Sequence, residues 1–147
     1  METPSKSIYD AWHLISEETL REWTSEENIS LRNKRTFQGF EIVDSLDGRV
    51  DENVEVSLVR ITEQGQYPQH VHNGSDAYFI ILNGHAILLS GKDRREISQG
   101  DRIDIPRGKP HGFELTNGES FEFISIQSPP IKDLHSGEED FHLVDQV

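Results

Sequence analysis

Two histidines set one residue apart, His70 and His72, are the first pair in this chain whose spacing could do chemistry. On an extended strand side chains alternate between faces, so both imidazoles project to the same side. Two neutral imidazoles on one face are half of a typical site for Zn, Fe, Ni or Cu. The plainer alternative is a pair of exposed histidines at a strand end. The remaining histidines are His13, His85, His111, His135 and His142. A lone histidine is most often a surface residue or a satisfied core residue, and His13, His85, His135 and His142 are read that way. Cysteine is absent, which removes disulfides, thiolate metal sites and cysteine nucleophiles together.

The segments that must position these residues are short and strand-like. Thr36 to Asp44, Val54 to Ile61, Tyr78 to Leu82, His85 to Leu89, Arg102 to Ile105 and Phe121 to Ile126 are rich in β-branched or aromatic side chains. Turn pairs punctuate them at Asp47-Gly48, Asn73-Gly74, Asn83-Gly84, Ser90-Gly91, Gln99-Gly100, Arg107-Gly108 and Asn117-Gly118. Asn83-Gly84 lies between two such runs and reads as a two-residue hairpin. Many short strands without intervening helices predict an all-β fold, an antiparallel sandwich or barrel. Ahead of them Ser16 is placed as an N-cap, with Glu17 and Glu18 where the helix dipole favours acids. Leu20 and Trp23 share a face three residues apart, so the spacing predicts one short helix from about Glu17 to Glu27.

Charge divides the chain further. Its 147 residues fit one domain, and 14 basic against 27 acidic side chains give −13. Residues 1–30 carry −5 and residues 131–147 carry −4, so the middle hundred are nearly balanced. This yields an acidic arm over residues 1–35, a barrel over residues 36–130 and an acidic tail over residues 131–147, the last expected to be loosely ordered. The acidity argues against nucleic acid and against docking on an anionic membrane. The longest apolar run, Ala77 to Leu82, is far below the roughly 20 residues of a spanning helix. No signal-peptide pattern opens the chain, so cytoplasmic residence is the expectation.

Two longer stretches carry a family resemblance. Gly65-Gln-Tyr-Pro68-Gln-His70-Val-His72, continuing to Gly84, resembles the first cupin motif. Gly100, five residues, Pro106-Arg-Gly108, two residues and His111 resemble the second. The resemblance covers about residues 36 to 128. It implies a single conical antiparallel β-barrel, the double-stranded β-helix or jelly roll, with a metal held inside by His70, His72 and His111. It also implies a homodimer. Trp12, Leu20 and Trp23 of the arm would then cover an open sheet end or a partner subunit.

The pattern breaks at one informative place. The family's first motif supplies a glutamate seven residues before its closing glycine, and here that position is Ala77. Asp76 is adjacent, but if Ala77, Phe79 and Ile81 face inward then Asp76 points outward. Only a bulge at Asn73-Gly74-Ser75 would turn it in, which leaves Asp76 an outside candidate. Three neutral imidazoles leave a divalent ion its whole charge, and such a centre attracts a small anionic, chelating substrate. Fe(II) is the first choice of metal, with Zn, Ni, Mn or Cu as alternatives. The leading functional reading is therefore a mononuclear non-haem metal enzyme, dioxygenase-like, similar to the small three-histidine dioxygenases of the superfamily. A redox-neutral isomerase or lyase is the second reading, and a non-catalytic small-ligand-binding cupin the third. Arg60, Tyr67, Phe79, Phe113, Phe123 and Gln127 are the expected pocket residues. Each has a plain alternative as core or as a surface ion pair. No residue is assigned a catalytic role.

Overall fold

The computed structural model describes residues 12–37, 40–44, 46, 54–61, 65–115, 120–128 and 140–144. The turns expected at Asp47-Gly48 and Asn117-Gly118, His135 and most of the acidic tail lie outside these residues. Two short helices come first, α1 (Glu17–Trp23) and α2 (Glu26–Ser30). The strands follow as β1 (Lys34–Phe37), β2 (Phe40–Val43), β3 (Glu55–Ile61), β4 (Gly65–Val71), β5 (Asp76–Asn83) and β6 (His85–Ser90). Then come β7 (Asp93–Ser98), β8 (Arg102–Ile105), β9 (His111–Leu115), β10 (Phe121–Ser128) and β11 (His142–Leu143). No helix among the described residues is long and apolar enough to cross a membrane.

The helical region corrects the expectation of one helix. Ser16 caps α1 as anticipated, accepting the Thr19 N–H at 3.1 Å. The helix stops because Thr24 turns its hydroxyl back to the Leu20 carbonyl at 2.8 Å. Ser25 then accepts the Asn28 N–H at 3.2 Å and starts α2. Leu20 and Ile29 are buried on a common apolar layer with Val43, Leu58, Tyr78, Ile80, Ile124 and Ile126, against which Trp12 and Trp23 also pack. The arm therefore covers the outer face of a sheet.

That sheet has the order β1-β2-β3-β10-β5-β8, and a second has the order β11-β4-β9-β6-β7. All pairings are antiparallel. Between the sheets lies the inner core, including Phe40, Ile61, Ala77, Phe79, Ile81, Leu88, Phe113, Phe121 and Phe123. Period-two alternation explains the two layers on β5 and β10: Phe79 and Phe123 point in, while Tyr78 and Ile124 point out under the helices. This is the jelly-roll arrangement expected from the resemblance.

Two turn expectations change. The run from Thr36 to Asp44 is not one strand but a hairpin, with Phe37 paired to Phe40. Asn83-Gly84 is not a hairpin either, because β5 and β6 belong to different sheets. The chain crosses between layers there, and Gly84 has φ of +81°. A Cβ at that position would stand 2.2 Å from the Ser120 carbonyl oxygen, so only glycine fits the crossing. A two-residue hairpin lies one strand later, where Ser90 pairs with Asp93 between β6 and β7.

Candidate metal centre

The register of β4 against β9 places the candidate ligands. A bulge between Tyr67 and His70 interrupts that pairing, at Pro68, whose missing N–H suits an interrupted ladder. The bulge shifts the side-chain alternation, so that Tyr67 and His70 both turn toward the inner core although they are three residues apart. His72 follows two residues on and faces the same way. Across the ladder, His111 opens β9 as the direct partner of His70. A Cβ on the next residue, Gly112, would meet the Tyr67 carbonyl oxygen at 2.6 Å, so the close approach of β9 to the bulge depends on glycine.

The three rings converge. Their centroids are 4.2 Å apart for His70 and His111, 4.9 Å for His70 and His72, and 5.0 Å for His72 and His111. All three side chains are buried. Each Nδ1 has a main-chain carbonyl beside it: Pro68 for His70 at 3.4 Å, Asp140 for His72, and Lys109 for His111 at 3.1 Å. A carbonyl oxygen only accepts, so each Nδ1 carries the proton and donates. In a neutral imidazole the lone pair then resides on Nε2, the form a metal requires.

Electrostatics keep the rings neutral. Burial, with repulsion from His72, pushes His70 down to about 3. Burial and the two neighbouring rings hold His111 well below its ordinary 6.5, and His72 is lowered chiefly by burial. One ligand atom from each histidine lies within 4.8 Å of the other two. Three nitrogens each about 2.1 Å from a single ion stand roughly 3.0–3.6 Å apart, so the rings must draw together by about an ångström to hold one. The donor set therefore fits a divalent ion, with His70, His72 and His111 as its holders.

Asp76 does not join them. It is buried, but its Oδ1 accepts the Arg107 N–H at 2.8 Å and Nε at 3.2 Å, and its Oδ2 accepts the Arg107 guanidinium at 3.0 Å. Ala77, Phe79 and Ile81 face inward, and the alternation turns Asp76 to the other side of β5. The carboxylate pins the loop of the second motif instead, and Gly108 ties that loop to the first by donating its N–H to the His72 carbonyl at 2.8 Å.

A cavity of about 60 Å³ opens beside the histidines, enough for a few waters. Phe79, Phe113, Phe123 and Gln127 line it. Arg60 does not. It is on the outer face of β3, donating to Glu122 at 2.7 Å and Glu41 at 3.3 Å, which is the surface ion-pair alternative. Tyr67 is packed into the core against Phe40, centroids 5.4 Å apart, rather than on the cavity wall. The wall includes residues the sequence did not single out. Ser57 and Ser125 are register partners on β3 and β10, and each interrupts an apolar strand with a hydroxyl, the signal by which they could have been found. Arg35 also lines the cavity, its Nε donating to Asp44 at 2.9 Å. Phe141, a single aromatic within the acidic tail, stacks on His70 at 4.0 Å and 22°.

With fold and site in view, comparison with known proteins is decisive for the family. The cupin-domain family profile matches residues 57–127, the span from β3 through both motifs to β10. That span is a cupin domain. Among solved structures, a Streptomyces PAC13 variant with uridine aligns on this cupin with a TM-score of 0.63 at 16% identity, over 81% of this chain and 89% of that one. The polyketide cyclase RemF from Streptomyces resistomycificus gives 0.63 at 18% identity, over 81% and 84%. A double-stranded β-helix protein from Klebsiella pneumoniae gives 0.60 at 16% identity, over 80% and 95%. At these identities the likeness is one of fold. No curated protein matches this cupin in sequence.

Proposed function

We propose that this cupin is a mononuclear metal enzyme acting on a small anionic organic molecule. The observation that carries the reading is the set of three buried imidazoles, each donating from Nδ1 to a carbonyl, with no carboxylate among them. A bound divalent ion would supply Lewis acidity and open coordination positions, including one for dioxygen if the ion is Fe(II). The remaining contributions belong to the chain. The carbonyls of Pro68, Lys109 and Asp140 orient the rings and fix their tautomers. Phe79, Phe113 and Phe123 form apolar walls that strengthen electrostatic attraction within the cavity. Three neutral ligands leave the centre a net +2, which favours an anionic, chelating substrate, and Arg35, paired with Asp44, adds N–H groups to the same cavity wall.

We rank Fe(II)-dependent oxidative cleavage first, because three neutral imidazoles leave room for both substrate and dioxygen on a six-coordinate ion. A redox-neutral lyase or cyclase is the second reading. It is favoured by the fold shared with RemF, a polyketide cyclase, and with Pac13, described as a nucleoside dehydratase. The deciding experiment loads the purified protein with Fe(II) anaerobically and then follows oxygen uptake with thiols, diketones and catechols. Uptake coupled to substrate loss supports the oxygenase. Turnover of a panel member without uptake moves the assignment to redox-neutral chemistry. Metal content unchanged by His70→Ala would remove the metal site from both.

A further inference from the structure

Residues 140–144 lie outside the span matched by the cupin profile and add an edge strand to the second sheet. We propose that this C-terminal segment is part of the site, with Asp140 as a positioning residue for His72 and Phe141 as the wall that limits ligand size. The proposal rests on the metal reading above.

Three observations converge on it. First, the Asp140 carbonyl accepts the Nδ1–H of His72, so a residue 68 positions away fixes that ring's tautomer and direction. Second, the Asp140 carboxylate accepts the Asn73 N–H at 2.9 Å and the Gly74 N–H at 2.7 Å. These bonds clamp the segment to the turn that directly follows His72. Third, Phe141 stacks on His70 and lines the cavity. The tail thus touches two of the three candidate ligands through two consecutive residues.

A simpler role would be to cover the free edge of β4. Backbone pairing alone does that: His142 pairs with Val71, Leu143 with His70, and Val144 donates to the Gln69 carbonyl at 3.0 Å. Edge protection does not require a side-chain clamp on residues 73 and 74, nor an aromatic ring lying flat on a histidine. Leu143 is 61% exposed, so apolar burial does not hold the strand in place from that side. The inward contacts are made by Asp140 and Phe141, and they lead to the histidines.

The occupant follows from the same geometry. Phe141 bounds a cavity of only about 60 Å³ beside the rings, so a ligand with a compact chelating head fits, and one with an aromatic body directly behind that head meets the Phe141 ring. Truncating this ring should relax the limit without removing any metal ligand.

The test uses the full chain and cobalt(II), whose visible absorption reports both binding and ligand geometry. Wild type should bind one Co(II), and His111→Ala should not. Asp140→Ala keeps the carbonyl that accepts from His72 but removes the carboxylate clamp that holds it in place, so it should weaken Co(II) by about 10-fold, the low end of the range for a disturbed orienting partner, and should alter the absorption bands. Asp140→Asn, which keeps an acceptor oxygen, should recover part of the loss. Phe141→Ala should gain at least about 10-fold in affinity for benzohydroxamate relative to acetohydroxamate on the Co(II) protein, about 1.4 kcal/mol of discrimination. Metal-free protein supplies an independent reading: diethylpyrocarbonate should modify His70 and His72 faster in Phe141→Ala than in wild type, with His111 still protected. If wild type takes up no Co(II), the metal reading fails and this proposal with it. If wild type binds Co(II) and the Asp140 and Phe141 variants match it in affinity, spectrum, ligand preference and histidine protection, the segment is a structural edge strand and only this proposal is overturned.

Discussion

His70 and His111 are direct cross-strand partners on β4 and β9, their ring centroids 4.2 Å apart in the interior of the jelly roll. Neither motif makes the site alone. The first supplies two rings from one strand, and pairing between strands supplies the third. His111→Ala should therefore lower metal affinity by more than about 100-fold, since losing even an outer partner of a ligand costs 10- to 100-fold. His13→Ala, at a half-exposed ring on the outer face beside Tyr78, should leave metal content unchanged. Elemental analysis after Fe(II) or Zn(II) loading and dialysis distinguishes the two.

Asp76 offers the converse case, a buried carboxylate close in sequence to the missing glutamate position yet committed elsewhere. Its oxygens accept the main-chain and guanidinium N–H groups of Arg107. Asp76→Ala should cost about 1–3 kcal/mol of stability by leaving the Arg107 N–H without its acceptor. Metal stoichiometry should stay at the wild-type value. Urea denaturation and metal analysis on the same sample check both halves, and loss of metal from a folded Asp76→Ala protein would contradict the placement.

Acid should act through the histidines before metal is considered. Burial lowers all three, His70 to about 3. Below about pH 6.5 the unfolded chain takes up these protons while the folded, metal-free protein does not. Stability contributed by these rings is therefore complete above pH 6.5 and declines as the pH falls toward 3, by at most about 1.4 kcal/mol per group per pH unit. Metal-free wild type should show a lower urea midpoint at pH 5.5 than at pH 7.5. His70→Gln should lose less over the same interval, and an equal loss in the two proteins would mean that His70 is not held neutral.

The parts of the molecule that the sequence made legible are those where chemistry is local. Ser16 as a helix cap, the apolar strands β3, β5 and β10, and the paired histidine motifs depend on neighbours in the chain. Less visible were β4, β7 and β9. β7 reads Asp-Arg-Arg-Glu-Ile-Ser and buries only Ile97, so its strand character comes from pairing with β6 rather than from its own side chains. β4 carries proline, glutamine and histidine because its inward positions serve the site, and its bulge breaks the period-two pattern. Arg60 and Arg35 show the same limit. Both are strand arginines, and only the register that places Arg60 opposite Glu41 and Glu122 sends its side chain outward. The contribution of Asp140 and Phe141 depends wholly on contacts across the fold, and an acidic tail gives little local signal of it.

Gly112 links the stability of the fold to the geometry of the site. It lies between His111 and Phe113, both buried, where β9 passes the bulge of β4. A methyl group there would stand 2.6 Å from the Tyr67 carbonyl oxygen and 3.0 Å from the Gln69 nitrogen, both main-chain atoms that cannot swing aside. Gly112→Ala must therefore push β9 away from β4, and His111 moves with it. We expect a loss of about 1–3 kcal/mol, as for overpacked interiors, together with at least a 10-fold fall in Co(II) affinity. The combination separates this variant from Asp76→Ala, which should lower stability and leave metal binding intact. Urea midpoints and Co(II) titrations on the two proteins in parallel measure the difference. A Gly112→Ala protein that loses stability but binds Co(II) as wild type does would show that the histidines do not depend on how closely these two strands approach.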